Sequence, residues 1–379
     1  MDFRDDAEEE LFRAEFRSWL AAHKPREPAP FGGSERASFW RDWHRALYNG
    51  RWMGLSWPVE FGGRGLPATY EAIFNDEIGA AGAPPAPHVG FLGRAILYHG
   101  SDEQRRRFLP GLLSGEEVWC QGFSEPGAGS DLAALSTHAS LEGDRYVVNG
   151  QKIWTSDAAW ADWCLLLART DREAPKHLGI SAIVIDVHQP GVNVRPIVQN
   201  NGDCEFNEVF FTNATAPIDN VVGALGEGWH IAMTTVEYER GPADVGFSSR
   251  YIRLATELEH AAQDHDIDDL VRLTLARAYV QVAVLRAHVL RDLSGRSDGV
   301  QPGPEGSITK LLATQTEQQL HHVAMDLAGS ASLVGERPEV LNEYLYSRAA
   351  SIAGGTSEIQ RTIVAERLLG LPRANTRLN

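Results

Sequence analysis

The stretch Phe123-Ser124-Glu125-Pro126-Gly127-Ala128-Gly129-Ser130-Asp131 stands at a change of texture in the 379-residue chain. Its run of small residues lets backbone N–H groups approach a ligand closely, and Ser124 and Ser130 add short hydroxyl donors. No lysine follows the glycines, so it is not a Walker loop. No strand–helix unit surrounds it, so it is not a dinucleotide fingerprint either. Taken alone, the stretch reads equally as a tight loop and as a ligand cradle.

The chain before it, residues 1–118, has helical spacing, as in Leu11, Phe12, Phe16, Trp19 and Leu20. Breaks at Pro25 to Gly33, Trp57 to Gly65 and Gly82 to Pro87 predict several helices joined by tight loops. Trp40, Trp43, Trp52 and Trp57 read as core. After the stretch, through residue 222, the period becomes two. Arg145 to Trp154 predicts two short strands around Asn149-Gly150, a hairpin signal. Further strands are predicted at Trp163 to Ala168, Ile180 to Val187 and Glu208 to Thr212, giving a compact β domain over 119–222.

From residue 223 to 379 the helical period returns, with helices predicted near 228–262, 268–294, 308–329, 336–350 and 356–369. Ser307 reads as an N-cap. The segment 268–294 is apolar around much of its circumference, which predicts burial on several sides, in a bundle or at a subunit contact. The fold class expected is α+β multidomain: an N-terminal helical domain, a middle β-barrel-like domain and a C-terminal helical bundle.

Composition narrows the functions. A formal charge of −16 repels phosphate and argues against a nucleic-acid partner. Four lysines (Lys24, Lys152, Lys176 and Lys310) among 35 basic residues read as a compositional bias. Cys120, Cys164 and Cys204 are too few and scattered for a disulfide framework or a zinc site, and His321-His322 lacks a third ligand and reads as helix surface. No metal is expected. The acidic N-terminus is no signal peptide, and no apolar run reaches spanning length, so a cytoplasmic protein with no membrane span is the expectation.

Two further stretches complete the picture. Lys152-Ile153-Trp154-Thr155-Ser156-Asp157 would put Lys152, Trp154 and Ser156 on one strand face, a tryptophan beside hydroxyls that suits a flat aromatic ligand. Near the C-terminus, Gly354-Gly355-Thr356-Ser357-Glu358-Ile359-Gln360-Arg361 opens a helix. Together with the first stretch, these residues resemble the acyl-CoA dehydrogenase family of flavoproteins, over nearly the whole chain.

The resemblance implies an FAD between the β domain and the bundle. Phe123 and Ser124 correspond to residues holding the flavin's polar edge, and Trp154, Thr155 and Ser156 to the segment against the ring. Ser130 corresponds to a contact with the CoA part of an acyl-CoA substrate, and Gly355, Thr356 and Glu358 to flavin contacts. Family chemistry takes a proton from the carbon α to the thioester and a hydride from the β carbon. The product is an α,β-unsaturated thioester.

Many members carry the base directly before Gly-Thr-Ser, where this chain has Gly354. A branch of the family instead carries it on a bundle helix before an arginine, which points to Glu239 in Val236-Glu237-Tyr238-Glu239-Arg240-Gly241. Glu239 and Arg240 are therefore taken as substrate-site residues, Glu239 as base, and the Gly354 N–H as a thioester-oxygen donor. The Arg-x-x-Phe-Gly stretch and Gln-x-x-Gly-Gly common in the family are missing, with Asp326-Leu327-Ala328-Gly329-Ser330 at the latter place. An electron-transfer flavoprotein is the implied electron acceptor, and a homotetramer or dimer the implied assembly. The alternatives are a partner subunit of a heterotetramer with an incomplete site, and a flavin oxidase on the same fold.

Overall fold

The computed structural model describes residues 4–87, 89–238, 242–263, 267–297 and 303–373. Five helices come first: α1 (Ala7–His23), α2 (Gly33–Asn49), α3 (Ala68–Ala81), α4 (Val89–His99) and α5 (Asp102–Ser114). Strands follow: β1 (Trp119–Gly122), β2 (His138–Glu142), β3 (Arg145–Ser156), β4 (Trp163–Arg169), β5 (Ile180–Asp186), β6 (Val192–Pro196), β7 (Phe206–Pro217) and β8 (Val221–Val222). Then come α6 (Gly228–Tyr238), α7 (Pro242–Gln263), α8 (Asp269–Ser297), α9 (Gly306–Ala328), α10 (Ser330–Leu333), α11 (Pro338–Ser347) and α12 (Ser357–Ile363). The three-part succession of helices, sheet and helices is the one expected. No described helix is long and apolar enough to cross a membrane.

Two compact units form. One gathers α2, α4, α5 and α6 with all eight strands. Its sheet runs β6-β7-β3-β2-β4-β5-β8, with β1 pairing in parallel to β4. Leu165 to Ala168 of β4 and Ala182 to Ile185 of β5 are wholly buried. Both strands are covered on two faces, which explains their near-continuous apolar runs.

Asn149-Gly150 is not a hairpin turn. β3 passes straight through it, and the register against β7 shifts between Val148 and Gly150. A Cβ at Gly150 would stand 2.3 Å from the Thr137 Oγ1, so only glycine fits this bulge. Asn149 faces another strand instead: its Nδ2 donates to Asn213 Oδ1 at 3.1 Å, and its Oδ1 accepts from Asn213 N at 2.9 Å.

The other unit gathers α1, α3 and α7 to α12. In α1, Asp6 caps the helix and closes a reciprocal box with Glu9, and Phe12, Phe16 and Leu20 bury one face. The sequence predicts one helix over 228–262; α6 and α7 are helical over the described parts of that span, and residues 239–241 lie outside the described set. Ser307 does not cap α9. The helix begins at Gly306 after Glu305, and Ser307 lies buried inside its first turn. His321 is buried rather than on the surface, in the face of α9 that also buries Leu320 and Ala324. On α8, Leu275, Ala278, Val282, Leu285 and Val289 are core while Leu270, Leu273, Val280 and Val284 are exposed, so in this chain the helix is buried along one face.

One carboxylate joins four helices of this unit. Asp76 of α3 accepts from Arg286 of α8 at 3.1 Å, from Arg13 of α1 at 2.9 Å and from the Ser249 hydroxyl of α7. The neighbouring Glu77 accepts from Arg13 at 2.9 Å and from Arg17 at 2.8 and 2.7 Å. Burial alone would push the Asp76 carboxyl up, but Arg286, Ser249 and Arg13 hold it below its ordinary value. Replacing Asp76 with Ala leaves the Arg286 guanidinium without this carboxylate and takes one of several carboxylate partners from Arg13. Urea unfolding of Asp76→Ala should show a loss of about 2–3 kcal/mol, from the cost of breaking a partly buried ion pair on one side.

Candidate active site

The first loop is fixed from below by a buried ion pair. Lys152 of β3, fully buried, donates from Nζ to Glu125 Oε1 at 2.8 Å and to the Phe123 carbonyl at 3.0 Å. The remaining Glu125 lone pairs accept from Ser136 N and Oγ at 2.7 and 2.8 Å and from Thr137 N at 2.8 Å. Reciprocal backbone bonds between Glu125 and Ala128, at 3.1 and 3.0 Å, close the Pro126-Gly127 turn above them. The Ile153 N–H donates to the Ser124 carbonyl at 3.0 Å, tying the loop to β3 along its edge. Burial would raise the Glu125 carboxyl, yet Lys152 and the Thr137 and Ser136 donors bring it to about 2. Burial also pulls the Lys152 ammonium down to about 8 against the opposing pull of Glu125.

Past Lys152 the strand bulges. Its register against β7 shifts between Lys152 and Thr155, and Trp154 takes φ 61°. Lys152 and Trp154 therefore do not share a face as strict alternation predicts. Lys152 and Thr155 are buried, and Trp154 turns outward, 56% exposed, its ring edge-on to Phe206 at 6.2 Å. A left-handed conformation at a bulky residue costs roughly 1–2 kcal/mol, and strain of this kind collects at functional sites. The Thr155 hydroxyl is buried with no described partner, and the Thr155 carbonyl accepts from Asn207 Nδ2 at 3.0 Å. Ser124 and Ser156 are half-buried, and no described residue bonds either hydroxyl. Ser130 is exposed at the end of the loop, beside the Asp131–Lys176 pair at 2.5 Å.

The C-terminal stretch is a double left-handed turn. Gly354 and Gly355 take φ 63° and 90°, and Thr356 caps α12 by accepting from Ile359 N at 3.3 Å. Gln360, almost wholly buried, donates from Nε2 to both glycine carbonyls at 3.1 and 3.2 Å. A Cβ at Gly355 would lie 2.6 Å from that nitrogen, whereas a Cβ at Gly354 would stand in ordinary contact with the Lys310 Nζ, 3.9 Å away. Glu358 is exposed and pairs with Arg361 at 3.4 Å. Glu239 and Arg240 lie outside the described residues. The structure thus brings Phe123, Ser124 and the 152–156 segment together in one unit, and Gly354 to Glu358 in the other. Glu125 and Gln360 are supports that the sequence reading did not single out. A buried-type spacing, with a carboxylate inside a Gly/Pro turn and a lone lysine in an apolar strand, was the available signal for the first.

Comparison with known proteins follows the same three parts. Residues 6–116, 120–214 and 226–369 match the acyl-CoA dehydrogenase N-terminal, middle and C-terminal domains. The chain belongs to the acyl-CoA dehydrogenase family. It is 43% identical to the acyl-CoA dehydrogenase IpdE1 of Mycobacterium tuberculosis, over 96% of this chain and 98% of that protein. Among solved structures it resembles the Tcur3481–Tcur3483 steroid ACAD (30% identity, TM-score 0.86, 99% and 100% covered). It also resembles the ChsE4–ChsE5 complex of M. tuberculosis (30% identity, TM-score 0.83, 99% and 100% covered).

As a member of this flavoprotein family, the chain is an oxidoreductase of lipid metabolism, and FAD is its cofactor. The donor set fits such a group. An indole held outward at a strained bulge, with three hydroxyls lacking described partners (Ser124, Thr155 and Ser156) on the bulge and the loop bonded to it, is suited to a flat ring with a polar edge. Lys152→Met removes the ammonium and leaves a buried carboxylate, which should lower the unfolding free energy by about 3 kcal/mol. The acid limb provides a second check. The folded Glu125 carboxyl titrates at about 2, below its ordinary 4.5. As pH falls, the unfolded chain therefore takes up this proton first, and the Glu125 contribution, complete above pH 4.5, is lost toward pH 2. Melting temperatures across that window should fall less steeply in Lys152→Met than in the wild type.

Proposed function

We propose that this chain is the dehydrogenating subunit of an acyl-CoA dehydrogenase that converts a bulky, ring-bearing acyl-CoA to its α,β-unsaturated thioester. The observation that carries this reading is the left-handed Gly354, which has no side chain where many relatives hold the base and whose Cβ position would meet no described atom closer than the Lys310 Nζ at 3.9 Å. A glycine there leaves room beside the substrate's α carbon for a wide acyl group. The steroid ACAD that the chain resembles supports the same substrate class.

In this reading Glu239 accepts the α proton, with Arg240 beside it. The Gly354 N–H receives the thioester oxygen as negative charge moves onto it. Phe123 and Ser124 present the edge of the Lys152-anchored loop to the cofactor, and Trp154, Thr155 and Ser156 lie along its ring. Ser130 meets the CoA portion, and Gly355, Thr356 and Glu358 border the cofactor from the bundle side. Bound FAD supplies the acceptor for the β hydride. An electron-transfer flavoprotein is the proposed onward acceptor, the cytoplasm the proposed compartment, and 118/119 and 222/223 the proposed domain boundaries.

A second reading concerns assembly. One structure similar to this chain over nearly its whole length is described as a complex of two named chains, ChsE4 and ChsE5. A heterotetramer with a homologous subunit accounts for the missing adenine-side motifs better than a homotetramer does. If so, coexpression with that subunit should raise the FAD content per chain, whereas a homotetramer would carry full FAD alone.

The chemical reading is tested by anaerobic addition of a panel of acyl-CoAs to the flavinated protein. A steroid-derived acyl-CoA should bleach the flavin, and Glu239→Gln should slow bleaching by about 10²–10⁴-fold, the range for loss of a positioned base. Bleaching at the wild-type rate in Glu239→Gln would remove Glu239 from the role.

A further inference from the structure

The place beside Gly354 where a side chain would stand has a charged neighbour. A Cβ at Gly354 would stand 3.9 Å from the Lys310 Nζ, and, chain neighbours aside, no other described atom lies within 4 Å of that point. Lys310 belongs to a ladder on α9. Thr314, one turn on, donates from Oγ1 to the Ala350 carbonyl at 3.1 Å. Gln318, one turn further, donates from Nε2 to the Ser347 carbonyl at 3.2 Å and accepts at its own carbonyl from Arg348 at 3.5 Å. Residues four apart on a helix share a face, so Lys310, Thr314 and Gln318 all track the segment 347–354. Thr314 and Gln318 hold that segment's backbone. Lys310, at the end of the ladder, reaches the place where the glycine has no side chain.

We propose that Lys310 is a substrate-site residue whose ammonium stands beside Gly354 and stabilises the negative charge that develops on the acyl thioester when its α proton leaves. This rests on the reading above, in which that place receives the thioester end of an acyl-CoA. The ammonium takes no proton and breaks no bond. Its charge acts on an oxygen that is nearly neutral in the bound substrate and anionic as the proton departs, so its effect falls on the chemical step rather than on binding. The same charge explains why a carboxylate at 354 would be unsuited here as base. An aspartate or glutamate at that position would be ion-paired by Lys310 and held in its weakly basic form.

Two arms test the proposal in the full-length flavinated protein, with any copurifying subunit retained. The first reads the charge without substrate or flavin chemistry. Gly354→Cys places a thiol at that position, and its alkylation by iodoacetate (anionic) and iodoacetamide (neutral) is compared with and without Lys310→Met. The iodoacetate-to-iodoacetamide rate ratio should fall by about threefold or more when the ammonium is removed, as expected for unit charges about 4–5 Å apart near solvent. An unchanged ratio overturns the placement.

The second arm uses Lys310→Met and Lys310→Arg with Gly354 intact, so it stands even if the strained cysteine variant does not fold. Lys310→Met should slow anaerobic flavin reduction by about 10²-fold, the cost of losing one oxyanion donor, with acyl-CoA affinity within about threefold. Lys310→Arg should recover part of that rate. A Lys310→Met rate within twofold of the wild type overturns the proposal, as does a loss confined to affinity. If no acyl-CoA reduces the wild-type flavin while the alkylation ratio still falls, the dehydrogenase reading fails and the substrate role of Lys310 falls with it, though the placement of its charge stands.

Discussion

A lysine with no exposed surface, paired with a carboxylate beneath a glycine-rich turn, sets the geometry on which the rest of the candidate site depends. The Lys152 ammonium is bonded at once to Glu125 and to the Phe123 carbonyl, and so joins β3 to the loop that follows β1. A buried pair of this kind adds little net stability over an apolar filling, but removing one partner is expensive. Its worth is positional. Glu125 has every oxygen occupied, so the turn above it has one arrangement, and the adjoining Ser124 carbonyl is aligned to receive Ile153 N–H.

The bulge that follows turns this rigidity into a surface. Lys152 is drawn inward and Thr155 is buried; of the two residues between them Ile153 is half-buried, and the left-handed Trp154 is the one that turns out. The indole is therefore exposed by the backbone rather than left over from an imperfect core. In the other unit, the Gly354-Gly355 turn plays a comparable part. Gln360 fixes both carbonyls, the second glycine admits no side chain, and the first is bordered by a lysine of α9. Backbone conformations that most residues avoid occur in both units, at the positions the family resemblance assigns to ligand contact.

Much of this was legible beforehand. The helix–strand–helix succession follows from the switch of period at the loop after residue 118 and again near residue 223. Helix starts were less legible: Ser307, read as an N-cap, lies inside the first turn of α9. The two misreadings in the sheet share a cause. Asn149-Gly150 and the Lys152–Thr155 step are both bulges, and a bulge is decided by the neighbouring strand rather than by the local sequence. Alternation then fails by one residue, and a tryptophan assigned to the lysine's face moves off it. Lys310 escaped notice for a different reason. Its i, i+4, i+8 relation to Thr314 and Gln318 is visible in the sequence, but the segment it tracks is set by tertiary packing. Glu239, the residue on which the chemistry was staked, falls outside the described residues.

The claim at the centre is that the buried Lys152–Glu125 pair holds the loop and bulge in the form that receives FAD. The most direct measurement is the dissociation constant of FAD from the apoprotein of the wild type and of Lys152→Met, at a temperature where both are folded. Loss of the pair should weaken FAD by about tenfold or more, equivalent to about 1.4 kcal/mol. An affinity within twofold of the wild type in the folded variant would contradict the account.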